Sequence, residues 1–127
     1  MSGKEIKIQA AGFIYRVLIE KGSLSDTGKN LRLLFPSNTA LLVSDTKVYS
    51  LYGDKVLKSL AAENWQVKTI NIRPGERSKS LSGAARLYNA ALDAGLDRNS
   101  PVIALGGGVV GDIAGFLAAT YMRGVPL

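Results

Sequence analysis

Residues 101–112 join an apolar run, three consecutive glycines and one acid. Gly106, Gly107 and Gly108 follow the apolar run directly, and with Gly111 they satisfy G-x-G-x-x-G. Glycines between a strand and a helix let backbone N–H groups and the helix N-terminus approach a phosphate. The simpler alternative is that glycine only allows tight strand–helix packing. Three glycines in a row favour ligand binding. The turn does not open the first strand–helix unit, so it is not an ordinary dinucleotide fingerprint.

Three carboxylates accompany this turn. Asp45 ends an apolar segment, where a carboxylate either accepts hydrogen bonds from both hydroxyls of a ribose or caps the next helix. Glu76 lies with Lys79 in the sequence Pro-Gly-Glu-Arg-Ser-Lys, and the pair either contacts a ligand or forms a solvated surface ion pair. Asp112 looks buried in the first turn of an apolar helix, where it either favours the helix dipole or holds a ribose or an amide.

One arginine near the end of the chain is also a candidate. Arg123 follows the apolar helix and precedes Gly124. A guanidinium there could bind a phosphate or a carboxylate bidentately, although an isolated arginine at this point is more often a helix-terminal cation.

Composition excludes several classes of function. The chain has 127 residues, no histidine and no cysteine, so disulfide scaffolds and most transition-metal sites are excluded. The net charge of +6 comes from basic residues that are spread along the chain, which disfavours nucleic-acid binding. We find no signal peptide and no apolar stretch long enough for a membrane span, and we expect a cytoplasmic protein. The apolar end at residues 125–127 predicts a piece of a longer protein.

The elements that must position these residues follow from periodicity. Alternating residues at 5–9 and 14–20 predict a hairpin, and strands are predicted at 40–44, 65–72 and 101–105. Helical spacing follows each later strand, and a further helix is expected at 24–35 with Ser23 or Ser25 as its N-cap. This order predicts an α/β fold, a Rossmann-like parallel sheet with helices on both sides and an N-terminal β-hairpin. Because ligands gather at the carboxyl ends of such strands, we expect the candidate residues after them to converge.

Four motifs together resemble 3-dehydroquinate synthases. They are D-T-K-V at 45–48, P-G-E-R-S-K at 74–79, G-G-G-V-V-G-D at 106–112 and Y-M-R-G at 121–124. The motifs follow that family's order and spacing over nearly the whole chain. The superfamily also includes other sugar-phosphate cyclases, such as 2-deoxy-scyllo-inosose synthase, and metal-dependent alcohol and glycerol dehydrogenases.

The resemblance implies that residues 1–127 are a Rossmann-like NAD-binding domain. Asp45 would hold the adenosine ribose, and Arg123 would meet an anionic substrate. The loop expected to line the NAD site comprises Pro74, Gly75, Glu76, Arg77, Ser78 and Lys79, with Glu76 and Lys79 as polar contacts. The residues expected to take the pyrophosphate and the neighbouring ribose are Gly107, Gly108, Val109, Val110, Gly111 and Asp112.

The family reaction implied here converts 3-deoxy-D-arabino-heptulosonate 7-phosphate, a phosphorylated sugar acid, to 3-dehydroquinate and phosphate in the shikimate pathway. Its divalent metal, zinc or cobalt, is bound by a glutamate and two histidines in a helical C-terminal domain. Because this chain has no histidine, the resemblance assigns it no catalytic residue and no metal ligand. We therefore expect an inactive fragment of a two-domain homodimeric enzyme. Alternatives are the NAD domain of another cyclase or dehydrogenase, and a non-catalytic nucleotide-binding module.

Overall fold

The N-terminal hairpin forms as predicted. In the computed structural model, which describes residues 3–127, β1 (Lys4–Ala10) pairs antiparallel with β2 (Phe13–Ile19). Ala11 and Gly12 both have positive φ, as a two-residue hairpin turn of this twist requires. The hairpin forms its own two-stranded sheet.

Three parallel strands form the central sheet in the order β4-β3-β5. They are β3 (Thr39–Asp45), β4 (Gln66–Ile72) and β5 (Val102–Leu105), and the last two start one residue later than predicted. The register places Asp45 beside Ile72, and Ser44 beside Leu105. The carboxyl ends of all three strands therefore lie at one edge of the sheet.

Helices cover both faces of this sheet, so the predicted arrangement is confirmed. On one face lie α1 (Thr27–Leu34) and α2 (Thr46–Ala62), which pack over Leu42 and Trp65. On the other lie α3 (Leu81–Asp93) and α4 (Gly108–Thr120), which pack over Leu41 and Val43. Side chains alternate along β3, so a single strand contributes to both apolar clusters. Gly95, with φ +69, follows α3 as predicted.

The start of the first helix differs from the prediction. A 3-10 turn at Ser23–Asp26 precedes α1, and neither Ser23 nor Ser25 caps the helix. The Ser25 carbonyl instead accepts a hydrogen bond from Ser59 Oγ at 2.8 Å, and this hydroxyl accepts one from Gly28 N at 2.9 Å. These bonds draw α1 against α2.

No helix within residues 3–127 combines the length and the apolar character needed to cross a membrane.

Candidate functional site

The glycine turn after β5 is open to solvent where a ligand would need it. A Cβ on Gly106 would lie 2.7 Å from Val110 Cγ2, so packing alone explains that glycine. Beyond its chain neighbours and the backbone of α4 itself, a Cβ on Gly107, Gly108 or Gly111 would meet no heavy atom of residues 3–127 within 4 Å. Tight packing therefore explains the first glycine of the turn and leaves the other three unexplained.

These three glycines sit where α4 begins. Gly107 is the N-cap residue, so no side chain caps the first N–H groups of the helix, and Gly108 is the first helical residue. The first N–H groups of a helix have no intrahelical partner and carry the positive end of its dipole. Glycine within a helix costs about 1 kcal/mol relative to alanine. A surface with no side chains above free N–H groups suits the close approach of a phosphate or diphosphate.

Lys79 joins the loop after β4 to helix α4. Its Nζ lies 3.0 Å from Glu76 Oε2 and 2.7 Å from Asp112 Oδ2. The Glu76 and Asp112 side chains are 77% and 65% exposed, so the prediction that Asp112 is buried is wrong. The carboxylate lies on the outer face of α4, where it can accept hydrogen bonds from a ligand.

The two carboxylates also shift the pKa of Lys79. Its hydrogen bond to Asp112 and, to a smaller extent, its hydrogen bond to Glu76 raise the pKa of the Lys79 ammonium above its usual range. The charge therefore stays on Lys79 throughout the physiological range. The cluster of one cation and two anions carries a net negative charge, with carboxylate oxygens facing solvent.

Asp45 caps the helix that follows it. Its Oδ1 accepts a hydrogen bond from Val48 N at 2.7 Å, so the simpler of its two sequence interpretations is realised. The second carboxylate oxygen, Oδ2, makes no hydrogen bond within residues 3–127. Capping and ribose binding are therefore compatible, because each needs a different oxygen.

A concavity of about 480 Å³ opens beside the Lys79–Asp112 ion pair. Its remaining wall is mostly apolar and includes Leu81, Ala84 and Phe116. Leu81 and Phe116 have the spacing of apolar residues that share one helix face, yet they are 86% and 50% exposed. Leu81 lies in the first turn of α3, where periodicity alone does not separate a buried face from the wall of a cleft. The volume is in the usual range of small-molecule sites, and the wall combines polar groups with an apolar surface.

Arg123 lies away from this cluster. It belongs to a 3-10 turn, Tyr121–Arg123, beyond the C-terminus of α4. The 13 residues of α4 separate it from the glycine turn by about 20 Å. Pro126 O accepts a hydrogen bond from Val102 N, so this segment reaches the amino end of β5. Met122 and Arg123 both have positive φ, an uncommon conformation for residues with side chains.

The described residues offer no metal site. Within residues 3–127, no three acidic, histidine or cysteine side chains are grouped so that they could hold a metal ion. The ion pairs of Glu76 and Asp112 with Lys79 also oppose a cation at that point.

Comparisons with known proteins agree on one family. The family model described as 3-dehydroquinate synthase N-terminal matches residues 69–127. The 3-dehydroquinate synthase of Pelotomaculum thermopropionicum is 50% identical over 111 residues, which cover 87% of this chain and 30% of that protein. This chain belongs to the 3-dehydroquinate synthase family. The family member from Desulforamulus reducens is 46% identical over 121 residues, covering 95% of this chain and 34% of that protein. The chain spans about a third of the length of the family members that it matches.

Solved structures of related cyclases share the fold. A 2-deoxy-scyllo-inosose synthase, complexed with carbaglucose-6-phosphate, NAD+ and Co2+, superposes with a TM-score of 0.82 at 22% identity, covering 96% of this chain and 33% of that one. The 2-epi-5-epi-valiolone synthase of Streptomyces hygroscopicus, with NAD+ and Zn2+ bound, gives a TM-score of 0.67 at 33% identity, covering 76% of this chain and 27% of that one. The chain therefore shares the Rossmann-like fold of the corresponding part of these synthases.

Proposed function

We propose that this chain is the NAD-binding N-terminal domain of a 3-dehydroquinate synthase. The observation that carries the proposal is the open space over Gly107, Gly108 and Gly111 at the start of α4. These glycines lie at the same sheet edge as Asp45 and the Lys79–Asp112 ion pair. One edge therefore offers a place for a diphosphate with carboxylates on either side of it.

Each group has a part in holding the dinucleotide. The backbone N–H groups around Gly107 and Gly108 bind the diphosphate, and residues 109–111 continue that surface along the first turn of α4. Asp45 Oδ2 accepts a hydrogen bond from the adenosine ribose, while Oδ1 keeps the helix capped. Lys79 orients Glu76 and Asp112 toward the second ribose.

The concavity beside Lys79 suits the nicotinamide end. Leu81, Ala84 and Phe116 offer an apolar wall to the ring, and Asp112 offers a carboxylate to its ribose. NAD, when bound, supplies reversible acceptance of a hydride. The chain's own part is to fix the position of the ring and to exclude water from one of its faces.

The whole protein would convert 3-deoxy-D-arabino-heptulosonate 7-phosphate to 3-dehydroquinate and phosphate, a step of aromatic amino acid biosynthesis. Because the described residues hold no metal-ligand set, metal chemistry and catalysis would belong to the remaining two thirds of such an enzyme. The isolated chain would then bind NAD without turnover. We also propose that Arg123 binds the anionic substrate and that the complete enzyme is a homodimer.

Calorimetric titration of the 127-residue chain with NAD tests the proposal. We expect saturable binding that weakens at least about tenfold in Asp112→Asn, since a hydrogen bond to a charged group contributes about 1.5–3 kcal/mol. Asp93→Asn is the matched control, because Asp93 is also an exposed acid paired with a lysine, Lys68, but lies at the end of α3. Its NAD affinity should equal that of the unmodified chain.

The same titration is repeated with the separately expressed C-terminal two thirds of the Pelotomaculum enzyme. Binding that appears only with this addition, and is still weakened by Asp112→Asn, supports the proposed site. Absence of binding in both experiments, or equal losses in the two variants, would overturn it.

A further inference from the structure

A second concavity lies on the other side of the loop that follows β4. It measures about 280 Å³, and three arginines, Arg73, Arg77 and Arg86, line it. Three serines, Ser78, Ser80 and Ser82, also line it. We call these three arginines and three serines the arginine pocket. No carboxylate is among the residues that line this concavity.

Among the residues that the structure describes, none forms an ion pair with the three guanidinium groups. Ion pairs within residues 3–127 involve Arg16, Lys68 and Lys79, and none involves an arginine of the pocket. Arg32 is held by two backbone carbonyls and the Trp65 ring. Three of the arginines whose guanidinium groups have no hydrogen-bond or ion-pair partner among the described residues therefore share one small concavity.

Local hydrogen bonds fix the shape of the arginine pocket. Ser78 Oγ donates to Arg73 O at 2.5 Å, which closes the loop and places Arg73 and Arg77 around the same space. Ser80 Oγ accepts from Gly83 N at 3.0 Å and lies 3.1 Å from Ser82 Oγ. The base of the pocket is thus held by bonds within the chain, while the guanidinium groups remain available.

The arginine pocket is separate from the larger concavity, although Arg77 and Ser78 belong to the loop at 74–79 that is expected to line the NAD site. Leu81 and Ala84 of α3 face the larger concavity, whereas Ser82 and Arg86 face the arginine pocket. The two share Ser80 alone. Residues spaced this way lie on different sides of a helix, so the first turn of α3 stands between the two spaces.

We propose that the arginine pocket binds a small phosphate dianion, either inorganic phosphate or a phosphate monoester. Guanidinium forks match the geometry of phosphate oxygens and bind them bidentately. Three cations without internal partners favour a dianion over a monocarboxylate. The volume lies at the lower limit for small-molecule sites, which suits a phosphate and excludes a whole dinucleotide. The inference does not depend on the proposed NAD site.

Amide chemical shifts of the full chain test this site. Inorganic phosphate and glycerol 3-phosphate are titrated in separate experiments at constant ionic strength. We expect saturable shifts at Ser82, Gly83 and Arg86 with either ligand. Tighter binding of the ester indicates a phosphorylated metabolite as the occupant, and equal binding indicates free phosphate; both support the pocket.

Matched arginine variants separate the pocket from general charge. Arg86→Gln should weaken phosphate binding about tenfold, as expected for loss of a charged hydrogen bond. Arg86→Lys keeps the positive charge but loses the forked guanidinium, so its phosphate affinity should lie between those of the unmodified chain and Arg86→Gln. Arg98→Gln, on the loop before β5, removes the same charge elsewhere and should change nothing.

Three results would overturn the proposal. They are the absence of saturable shifts at these amides, equal weakening by Arg98→Gln and Arg86→Gln, and loss of phosphate binding when NAD is added. The last would show that the concavity belongs to the dinucleotide site. Arg86 is exposed, so its variants should keep the amide spectrum of a folded chain in the absence of phosphate.

Discussion

Gly108→Ala should make the domain more stable and make NAD binding weaker. Gly108 has no positive φ, and a Cβ there would meet no heavy atom within 4 Å, so alanine fits the folded backbone without strain. Replacing glycine at such a position restricts the unfolded chain and stabilises a protein by about 0.4–1 kcal/mol. For a domain of this size the melting temperature should rise by about 2–5 °C.

The same methyl group enters the space through which a diphosphate would reach the first N–H groups of α4. We expect the dissociation constant for NAD to rise at least about tenfold, a loss of about 1.4 kcal/mol. Thermal melts followed by circular dichroism give the stability, and isothermal titration calorimetry gives the affinity.

Gly115→Ala is the matched control in the same helix. A Cβ there would lie 3.5 Å from Leu127 Cδ2, an ordinary contact, and two turns away from the glycine turn. It should stabilise the domain by a similar amount and leave NAD affinity unchanged. If Gly108→Ala destabilises the chain, the space over Gly108 is not open as described. If it stabilises the chain and leaves NAD affinity unaltered, the open glycines do not form a diphosphate site.

Three further predictions concern the elements that hold the site. Asp45→Asn should change the free energy of unfolding by only a few tenths of a kcal/mol, because asparagine also caps helices, whereas Asp45→Ala should cost about 1 kcal/mol. Both should weaken NAD binding about tenfold in calorimetry, and wild-type affinity in Asp45→Asn would limit this residue to capping. Gly28→Ala should cost about 3 kcal/mol in urea unfolding, since its Cβ would lie 2.1 Å from Ser59 O and 2.9 Å from Leu60 Cα; a cost below that of a surface substitution would contradict the α1–α2 packing. Because Lys79 has a raised pKa in the folded state, its contribution is complete below the unfolded value of about 10.4 and is lost as the pH rises through the higher folded value. We therefore expect the urea midpoint to fall more for the unmodified chain than for Lys79→Gln when the pH is raised from about 9 to about 12, the range in which lysines titrate. Parallel plots of urea midpoint against pH for the two proteins would refute this linkage.

The sequence was sufficient to predict the layers of the fold. Apolar alternation followed by helical spacing specifies each strand and helix, and parallel connection then brings the strand ends to one edge. This is why Asp45, the loop at 74–79 and the glycine turn could be placed together in advance. In the central sheet the boundaries differed by one residue at both ends of β3 and at the starts of β4 and β5, because strand ends depend on pairing between neighbouring strands.

The exposure of individual side chains was harder to predict. Asp112 and Phe116 lie among apolar residues in sequence and Leu81 is the first apolar residue of α3, yet all three are exposed at the wall of the larger concavity. Periodicity reports which residues share a helix face, but it does not report whether another element covers that face. The sequence did not predict the arginine pocket for a similar reason. Arg73 and Arg86 line the same concavity only because the loop after β4 folds back against the first turns of α3.

The central claim is that three strand ends together form one dinucleotide site. Amide chemical-shift mapping during NAD titration of a 15N-labelled chain tests it most directly. We predict shifts with a common dissociation constant at Asp45, at Glu76 and Lys79, and along residues 107–112. Shifts confined to the hairpin or to the outer face of α2, with residues 107–112 unchanged at saturation, would contradict the claim.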